Sequence, residues 1–411
     1  MTSHGETFRA LRVRNFRVYF IGQTISTIGT WMQMLAQAWL VLDLTGSGSS
    51  LGITAMLQTL PIALLIPYGG VIADRVDRRL LVATTSVLGA AQAIALGVLT
   101  ATDHITVHWI WVFAVLLGVV GAFERPAMQA MLFDLAGPDD LTSAVGLNAM
   151  IMSTGRLIGP AVAGVVIAAS GIAPCFLLNA ATFVAMLVAL VLVRTAEMHR
   201  TTRSIQRPKL REGLAYVWSH PDLRHALAVM FVVGTFAYNF ATTMPSMVRF
   251  VFHADAGTLG FAQSTNGFGA TIGAYFVASR VKPTRQRFGV VAIVFGVAIA
   301  VAALAPNGWT FVALCMPLGA ASALFSTTDQ LVLQEGTDGE FQGRVMGLFS
   351  LAWLGTTPIG AVIVGWTIEH VSARAAMGLG AASALVCGIV TLLVPTRDRA
   401  SGNDVAVEAL A

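Results

Sequence analysis

Long apolar segments, each the length of a membrane-spanning helix, follow one another along nearly the whole chain and are separated by short polar stretches. Because about 20 apolar residues cross a bilayer as a helix, the pattern predicts twelve transmembrane helices. Long runs rich in Gly and Ala argue against a β-barrel, whose strands are short and alternate. The predicted spans are Val18–Leu42, Leu51–Ala73, Leu80–Ala101, Val107–Met131, Leu141–Ala169, Pro174–Val193, His225–Val251, Leu259–Ser279, Phe288–Ala305, Trp309–Leu333, Val345–Ile368 and Ala375–Val394.

The longest polar stretch lies between the sixth and seventh spans and divides the chain into two halves. The predicted architecture is an all-α membrane protein with two pseudo-symmetric six-helix bundles. Within the polar parts, residues 1–17 are predicted to form a short interfacial helix and Leu210–Trp218 an amphipathic helix. The predicted parts are a basic tail (1–17), a bundle (18–193), a central loop (194–224), a second bundle (225–394) and a disordered tail (395–411).

Composition agrees with this class, because 56% of the 411 residues are hydrophobic and only 11% are charged, against roughly a quarter charged in soluble proteins. The net charge of +4 does not indicate nucleic-acid binding, since topology places the cations. With twelve spans, 22 of the 25 Lys and Arg residues fall on one side. The positive-inside rule makes that side cytoplasmic. Arg249 and Arg374 fall on the other side, and Arg156 lies within the membrane.

The fifth span combines a small-residue stripe with a buried charge. Gly155, Gly159 and Ala163 recur every four residues, so another helix backbone can approach this face closely. Pro160 leaves the carbonyl of Arg156 without its usual helical partner. Arg156 is itself a charge in an apolar segment, and it requires a wet or acidic neighbour.

Other ionisable residues in the spans are Glu124, Arg125 and Asp329. Glu124 has two interpretations, a static ion pair with Arg125 or Arg156, or a carboxylate that takes up and releases a proton during transport. Asp329 also has two interpretations, a coupling carboxylate or a solvated bystander, and its position nearer the cytoplasmic end of span ten favours the solvated bystander. Arg156 either neutralises Glu124 or meets an anionic substrate group. The proton-coupling candidates are Glu124, Asp329, Arg156 and Arg125.

Polar and aromatic residues in spans one, five and seven predict a large, mostly apolar central cavity for lipophilic or amphipathic molecules. The candidates for its wall are Gln23, Trp31, Gln33, Gln37, Asn148, Met152, Tyr238 and Asn239.

The sequence lacks the motifs of ATP hydrolysis, of hydrolase catalysis and of metal binding. There is no Gly-x4-Gly-Lys-Ser/Thr loop and the only lysines are Lys209 and Lys282, which excludes ATP hydrolysis as the energy source. No hydrolase motif occurs. The three cysteines lie in apolar segments without metal-ligand spacing and are expected to be buried hydrophobes. We therefore expect no enzymatic activity, no cofactor and no metal, in a chain that acts as a monomer.

The loop between spans two and three reads Gly-Val-Ile-Ala-Asp-Arg-Val-Asp-Arg-Arg from Gly70. Asp77 is placed to cap the third span. The segment resembles the loop motif of the major facilitator superfamily, Gly-x-x-x-Asp-Arg-x-Gly-Arg-Arg, with Asp77 in place of a glycine. In that superfamily the motif's first aspartate contacts the eleventh helix in the outward-open state. The resemblance implies a conformational latch formed by Gly70, Asp74, Arg75, Arg78, Arg79 and Arg344.

The fifth span resembles the motif of drug:proton antiporters in that superfamily, Gly-x8-Gly-x3-Gly-Pro-x2-Gly-Gly. The matching residues are Gly146, Gly155, Gly159, Pro160 and Gly164, and Ala163 replaces one glycine. The whole chain resembles the branch that contains bacterial siderophore and multidrug exporters. This implies a proton-driven exporter of small molecules in the bacterial cytoplasmic membrane. The alternatives are a lipid or lysolipid translocator and, from another class, a membrane scaffold or sensor.

Overall fold

The computed structural model describes residues 8–199, 210–280 and 284–393, and the regular elements in these ranges are all helical. The predicted tail 395–411 lies outside them. The helices of spans one to twelve are Arg14–Thr45, Gly48–Arg75, Arg78–Ala101, Val107–Ser170 (spans four and five together), Ala173–Leu192, Pro221–Phe236 with Phe240–Ser246 and the π-helix Met247–Val251 (span seven), Ala256–Arg280, Arg285–Ala303, Gly308–Glu335, Gln342–His370 and Ala373–Leu393. Shorter elements are the 3-10 helices Arg9–Arg12 and Thr195–Glu197 and the helix Leu210–Ser219.

This arrangement confirms the twelve predicted spans. Within the described residues, nine helices are long and apolar enough to cross a membrane, and one of them, Val107–Ser170, holds two spans. Spans one and eight complete the set with helices of 32 and 25 residues. These two helices carry polar side chains such as Gln37 and Gln263, and both helices line the cavity described below.

Spans four and five are separated by a single residue, so the predicted loop from 132 to 140 is wrong. The break is Gly137, whose φ of 74° lies in the left-handed region that favours glycine. Pro138 then starts the fifth span, where a missing N–H costs nothing. The ring of His199 packs against Gly137, leaving little space for a side chain.

The two sides of the bundle differ in charge. We call the side that carries Arg9, Arg78, Arg194, Arg285 and Arg344 the basic face, and the other side the opposite face. As predicted, Arg249 and Arg374 lie on the opposite face, where Arg249 pairs with Asp43 at 3.0 Å and Arg374 donates to the Ala305 carbonyl. Large apolar side chains such as Val191 and Leu393 are exposed on the outer surface of the helices, as expected of helices that face lipid.

Carboxylates cap two spans. Asp77 accepts hydrogen bonds from the N–H groups of Arg79 and Leu80, at 2.9 and 3.3 Å, which confirms its predicted role. On the opposite face Asp255 accepts from both the N–H and the hydroxyl of Thr258 at the start of span eight. These bonds favour the ionised form and lower the pKa of Asp255.

Glycines bring helices together inside each half. The side chain of Trp31 in span one lies against Gly155 and Gly159 of span five. In the second half, Gly360 of span eleven lies against the backbone of Thr235 in span seven. Spans five and eleven therefore play corresponding roles in the two bundles, and Gly159 and Gly360 lie one residue from Pro160 and two residues from Pro358, respectively.

The same two spans join the halves to each other. Gly164 of span five lies against Gly257 and Gly260 of span eight, and Gly52 of span two lies against Gly365 of span eleven. Small residues let these backbones meet without side chains between them. The halves therefore contact each other along two smooth helix pairs, spans five with eight and spans two with eleven.

The close contact at Gly159 predicts a position-specific effect on stability. In Gly159→Ala the new methyl group would lie 2.8 Å from the Ile28 carbonyl oxygen, and such overpacking costs roughly 1–3 kcal/mol. We expect thermal unfolding of the purified protein to occur at a lower temperature.

Gly146→Ala on the same helix is the matched control, because no atom lies within 4 Å of the added methyl group. Higher helix propensity should leave that variant equal to or slightly more stable than wild type. Equal unfolding temperatures for the two variants would contradict the packing account.

Candidate substrate cavity

A cavity of about 540 Å³ lies between the two halves, at the middle of the spans. Both halves contribute to its wall, mainly through spans one, two, five, seven, eight and ten. Its lining includes the apolar or aromatic residues Trp31, Met34, Met152, Phe240, Met244 and Trp353, and the polar residues Gln37, Thr54, Gln58, Gln263, Asn266, Ser322, Ser326 and Thr327. The size is that of a site for a drug-sized molecule.

Contacts between the halves close this cavity on the opposite face. The carboxylate of Glu369, in span eleven, accepts hydrogen bonds from the Ser47 hydroxyl and, at 2.9 Å, from the Ser49 N–H at the start of span two. Nearby, Arg249 of the second half pairs with Asp43 of the first. We call these two sets of contacts the opposite-face clamp.

The cavity extends toward the basic face. A second cavity of about 370 Å³ shares Ser326 and Trp353 with the first and continues along spans ten and eleven past Gln330 and Phe349. Near this face, Gly146 of span five and Gly343 and Gly347 of span eleven have no atom within 4 Å of a Cβ position. The structure is therefore open at the basic face and closed at the opposite face.

Arg156 is the one charged residue in the described lining of the central cavity. Its guanidinium lies over the Trp31 ring, 5.4 Å from the centroid. Among the described residues, no carboxylate oxygen lies within 4.0 Å of it, and its side chain is exposed in the open cavity. Gly267 of span eight makes room for the Arg156 side chain, because a Cβ there would lie 2.9 Å from its Cγ.

Span seven is broken where it reaches the cavity. Helix Pro221–Phe236 ends there, and a new helix starts at Phe240. The amide of Asn239 donates to the Thr235 carbonyl at 2.6 Å, which satisfies a carbonyl that the break would otherwise leave free. Tyr238, within the break, donates to the Ser322 carbonyl of span ten and packs 4.7 Å from the Trp353 ring, measured between centroids.

Asp329 is fully buried in span ten, so the expectation that it is solvated is wrong. Both of its carboxyl oxygens are without a hydrogen-bond partner within the described residues. Ser322, Ser326 and Asp329 follow one another at spacings of four and three, so they lie along one face of the helix. Asp329 therefore sits about one turn from the cavity wall at Ser326, on the side of the basic face.

Glu124 and Arg125 lie in span four, away from the central cavity. Glu124 is partly exposed and Arg125 is exposed. No arginine nitrogen of the described residues lies within 4.0 Å of the Glu124 carboxylate, so the ion pair with Arg125 or Arg156 is not formed in this state. The electrostatic neighbours of Glu124 are Arg125 and the buried hydroxyl of Tyr19.

The structure brings four of the predicted cavity residues together on the wall, namely Trp31, Gln37, Met152 and Tyr238. Asn148 lies on span five, partly exposed, outside the lining. Asn239 also lies elsewhere, buried against span seven as described above.

Two predicted glutamines point into the first bundle instead. Gln33 bonds Gln92 of span three at 2.9 Å and Asn179 of span six at 2.7 Å, which makes it a polar tie among three helices. Gln23 lies against span four, where its amide donates to the sulfur of Met128. A buried amide needs such partners, and neighbouring helices supply them here.

The loop motif ties spans two, three and four together in this state. Nη1 of Arg78 donates to both carboxylate oxygens of Asp134, at the end of span four, over distances of 2.8 and 2.9 Å. Asp74 lies 3.5 Å from Arg78. Arg75 is exposed, Arg79 is partly exposed, and Gly70 has open space around it.

The proposed latch partner of Asp74 is engaged elsewhere. Arg344 pairs with Glu212 of helix Leu210–Ser219 at 3.3 Å, and its guanidinium lies over the Phe341 ring. The latch between Asp74 and Arg344 stays a prediction for the state that is closed at the basic face.

Sequence reasoning missed several residues of this arrangement. Asp43 and Glu369 are acids at span ends on the face with few cations, and that placement is a signal for a clamp. Asp134 lies three residues before the Gly137 break, where an acid can meet the arginines of the loop motif. Gln263 and Ser326 carry no such signal, because only the rotation of their helices turns them toward the cavity.

Comparison with known proteins agrees with this architecture. The family model described as "transmembrane secretion effector" matches residues 5–409. The chain belongs to this family of major facilitator transporters. It is therefore a multi-pass membrane transporter of small molecules, built on the fold that the loop motif implied.

Several proteins that are similar to this chain in sequence are efflux proteins. The chain is 26% identical over 379 residues to the multidrug efflux pump Tap of Mycolicibacterium fortuitum, covering 89% of this chain and 92% of the pump. It is 25% identical to the staphyloferrin A transporter of Staphylococcus aureus, covering 85% and 88%. It is 22% identical to macrolide efflux protein A of Streptococcus pyogenes, with the same coverage.

Solved structures share the fold. The nucleoside transporter NupG superposes with a TM-score of 0.73 at 12% identity, covering 92% of this chain and 98% of that one. A bacterial homologue of the human lysosomal transporter Spinster, in an inward-facing and unoccupied conformation, superposes with a TM-score of 0.68 at 13% identity, covering 96% of both chains.

The opposite-face clamp predicts a shift in conformation when Glu369 loses its charge. Glu369→Gln weakens the bonds to Ser47 and Ser49 by about 1 kcal/mol, so the population open at the opposite face should rise about fivefold. The change can be measured as the distance between spin labels at Thr102 and Leu304, which are exposed at the ends of spans three and nine on that face. The native cysteines are replaced first, and the distance is measured by pulsed electron paramagnetic resonance.

Glu335→Gln makes the same chemical change at the end of span ten on the basic face, where Glu335 is exposed. It should leave the distance distribution as in wild type. Unchanged distances in Glu369→Gln would show that the clamp does not hold this state.

Proposed function

We propose that the protein is a secondary active exporter that moves lipophilic or amphipathic small molecules out of the cell in exchange for protons. The observation that carries this proposal is the pairing of a substrate-sized cavity with Asp329, a buried acid about one helical turn from its wall. Efflux relatives across most of the chain support the direction of transport.

The positive-inside rule makes the basic face cytoplasmic. The state described here is then inward-open, and its cavity receives molecules from the cytoplasm. Transport requires the halves to rock about the glycine contacts of spans five with eight and two with eleven, so that the clamp opens and the basic face closes.

Asp329 is the proposed proton carrier. An ionised carboxylate buried without partners in a membrane protein is destabilised by several kcal/mol. We infer that Asp329 holds a proton in the inward-open state. Water that passes Ser326 would stabilise the ionised form, so the proton can leave to the cytoplasm from this state. Glu124, which is partly exposed beside Tyr19, is the second candidate.

Everted membrane vesicles test the proposal with erythromycin, staphyloferrin A and the fluorescent anion pyrenebutyrate as probes. We expect at least one probe to accumulate in vesicles that contain the protein and to be released when an uncoupler collapses the proton gradient. Accumulation of none, or accumulation that survives the uncoupler, would contradict proton-driven export. Movement of a fluorescent lysolipid without any gradient would instead favour a lipid translocator.

Asp329→Asn tests the proton site separately. We expect this variant to lose uphill accumulation at least tenfold and to keep downhill movement of the same probe, because a neutral side chain fits the buried position. Asp139→Asn, an exposed position at the basic end of span five, should behave as wild type. Full proton-driven accumulation by Asp329→Asn would rule out Asp329 as the coupling site.

A further inference from the structure

We propose that the central cavity selects amphipathic organic anions, with Arg156 as the residue that binds the anionic group. This inference rests on the proposed transport function and adds the substrate's charge class. The transported molecule would carry a carboxylate or sulfonate on an apolar body.

The first support is the charge of the cavity wall. Arg156 is the one charged residue in its described lining. The nearest acid along span ten, Asp329, is fully buried behind the wall, and Glu124 lies on span four outside the lining. A cationic molecule would therefore meet an arginine in the described wall and no exposed carboxylate, whereas an anion gains a charge-assisted bond.

The second support is that the Arg156 guanidinium is held in place and yet has donors available. The guanidinium carbon lies over Trp31, 5.4 Å from the ring centroid, and Gly267 leaves space for the aliphatic part of the Arg156 side chain. Among the described residues, no hydrogen bond from its N–H groups to protein is seen. A guanidinium fixed in this way can bind a carboxylate through two parallel N–H donors.

The third support is the composition around the charge. Trp31, Met34, Met152, Phe240 and Trp353 give the cavity broad apolar surfaces. Methionines adapt to irregular shapes, and amide groups can satisfy scattered polar atoms of a ligand. An apolar body with a single anionic group matches both parts of this wall.

Equilibrium binding to the purified protein in nanodiscs tests the inference with two probes matched in size, pyrenebutyrate and its uncharged amide. Such binding requires neither a proton gradient nor a transport direction, so its outcome is separate from that of the vesicle experiment. We expect pyrenebutyrate to bind wild type at least tenfold more tightly than the amide does. Arg156→Gln should bring that ratio close to one, chiefly by weakening binding of the anion.

Arg156→Lys keeps the charge without the planar fork, and it should retain part of the preference for the anion. Unfolding temperatures close to wild type confirm that each variant is folded. Equal affinity of wild type for both probes, binding of neither probe, or an unchanged ratio in Arg156→Gln would each overturn the proposal.

Discussion

Backbone-to-backbone packing at small residues is the interaction on which the rest of this structure depends. Gly155 and Gly159 bring span five against span one, and Gly164 brings the same span against span eight of the other half. Because lipid offers no hydrophobic drive between helices, close packing is what holds such helices together. The smooth contacts also leave few interlocked side chains between the halves, which permits them to rock.

This packing also determines which groups meet in the middle of the membrane. With spans one, five and eight drawn close together, Arg156 lies between Trp31 and Gly267 at the edge of the cavity. Across the cavity, the break in span seven places Tyr238 against span ten, whose buried Asp329 lies just beyond Ser326. A cation on the wall and an acid behind it are thus kept on separate helices of separate halves.

The spans and their sidedness could be predicted from the sequence because length, apolarity and Arg placement act locally. Cavity residues could be predicted only in part, since the rotation of each helix depends on its neighbours. Gln33 turns inward because Gln92 and Asn179 satisfy its amide, and Asn239 is held by a carbonyl of its own broken helix. The burial of Asp329 likewise depends on packing from other spans, which its own surroundings in the sequence do not reveal.

The distance between the halves at the basic face, measured as a function of pH, tests the central claim most directly. Spin labels at Gly146 and Gly347, which have open space in this state, report that distance. If a proton on Asp329 stabilises the open state, raising the pH should convert a long distance into a short one, and Asp329→Asn should keep the long distance at every pH. A distance that does not change with pH in wild type, or that still shortens in Asp329→Asn, would contradict the account.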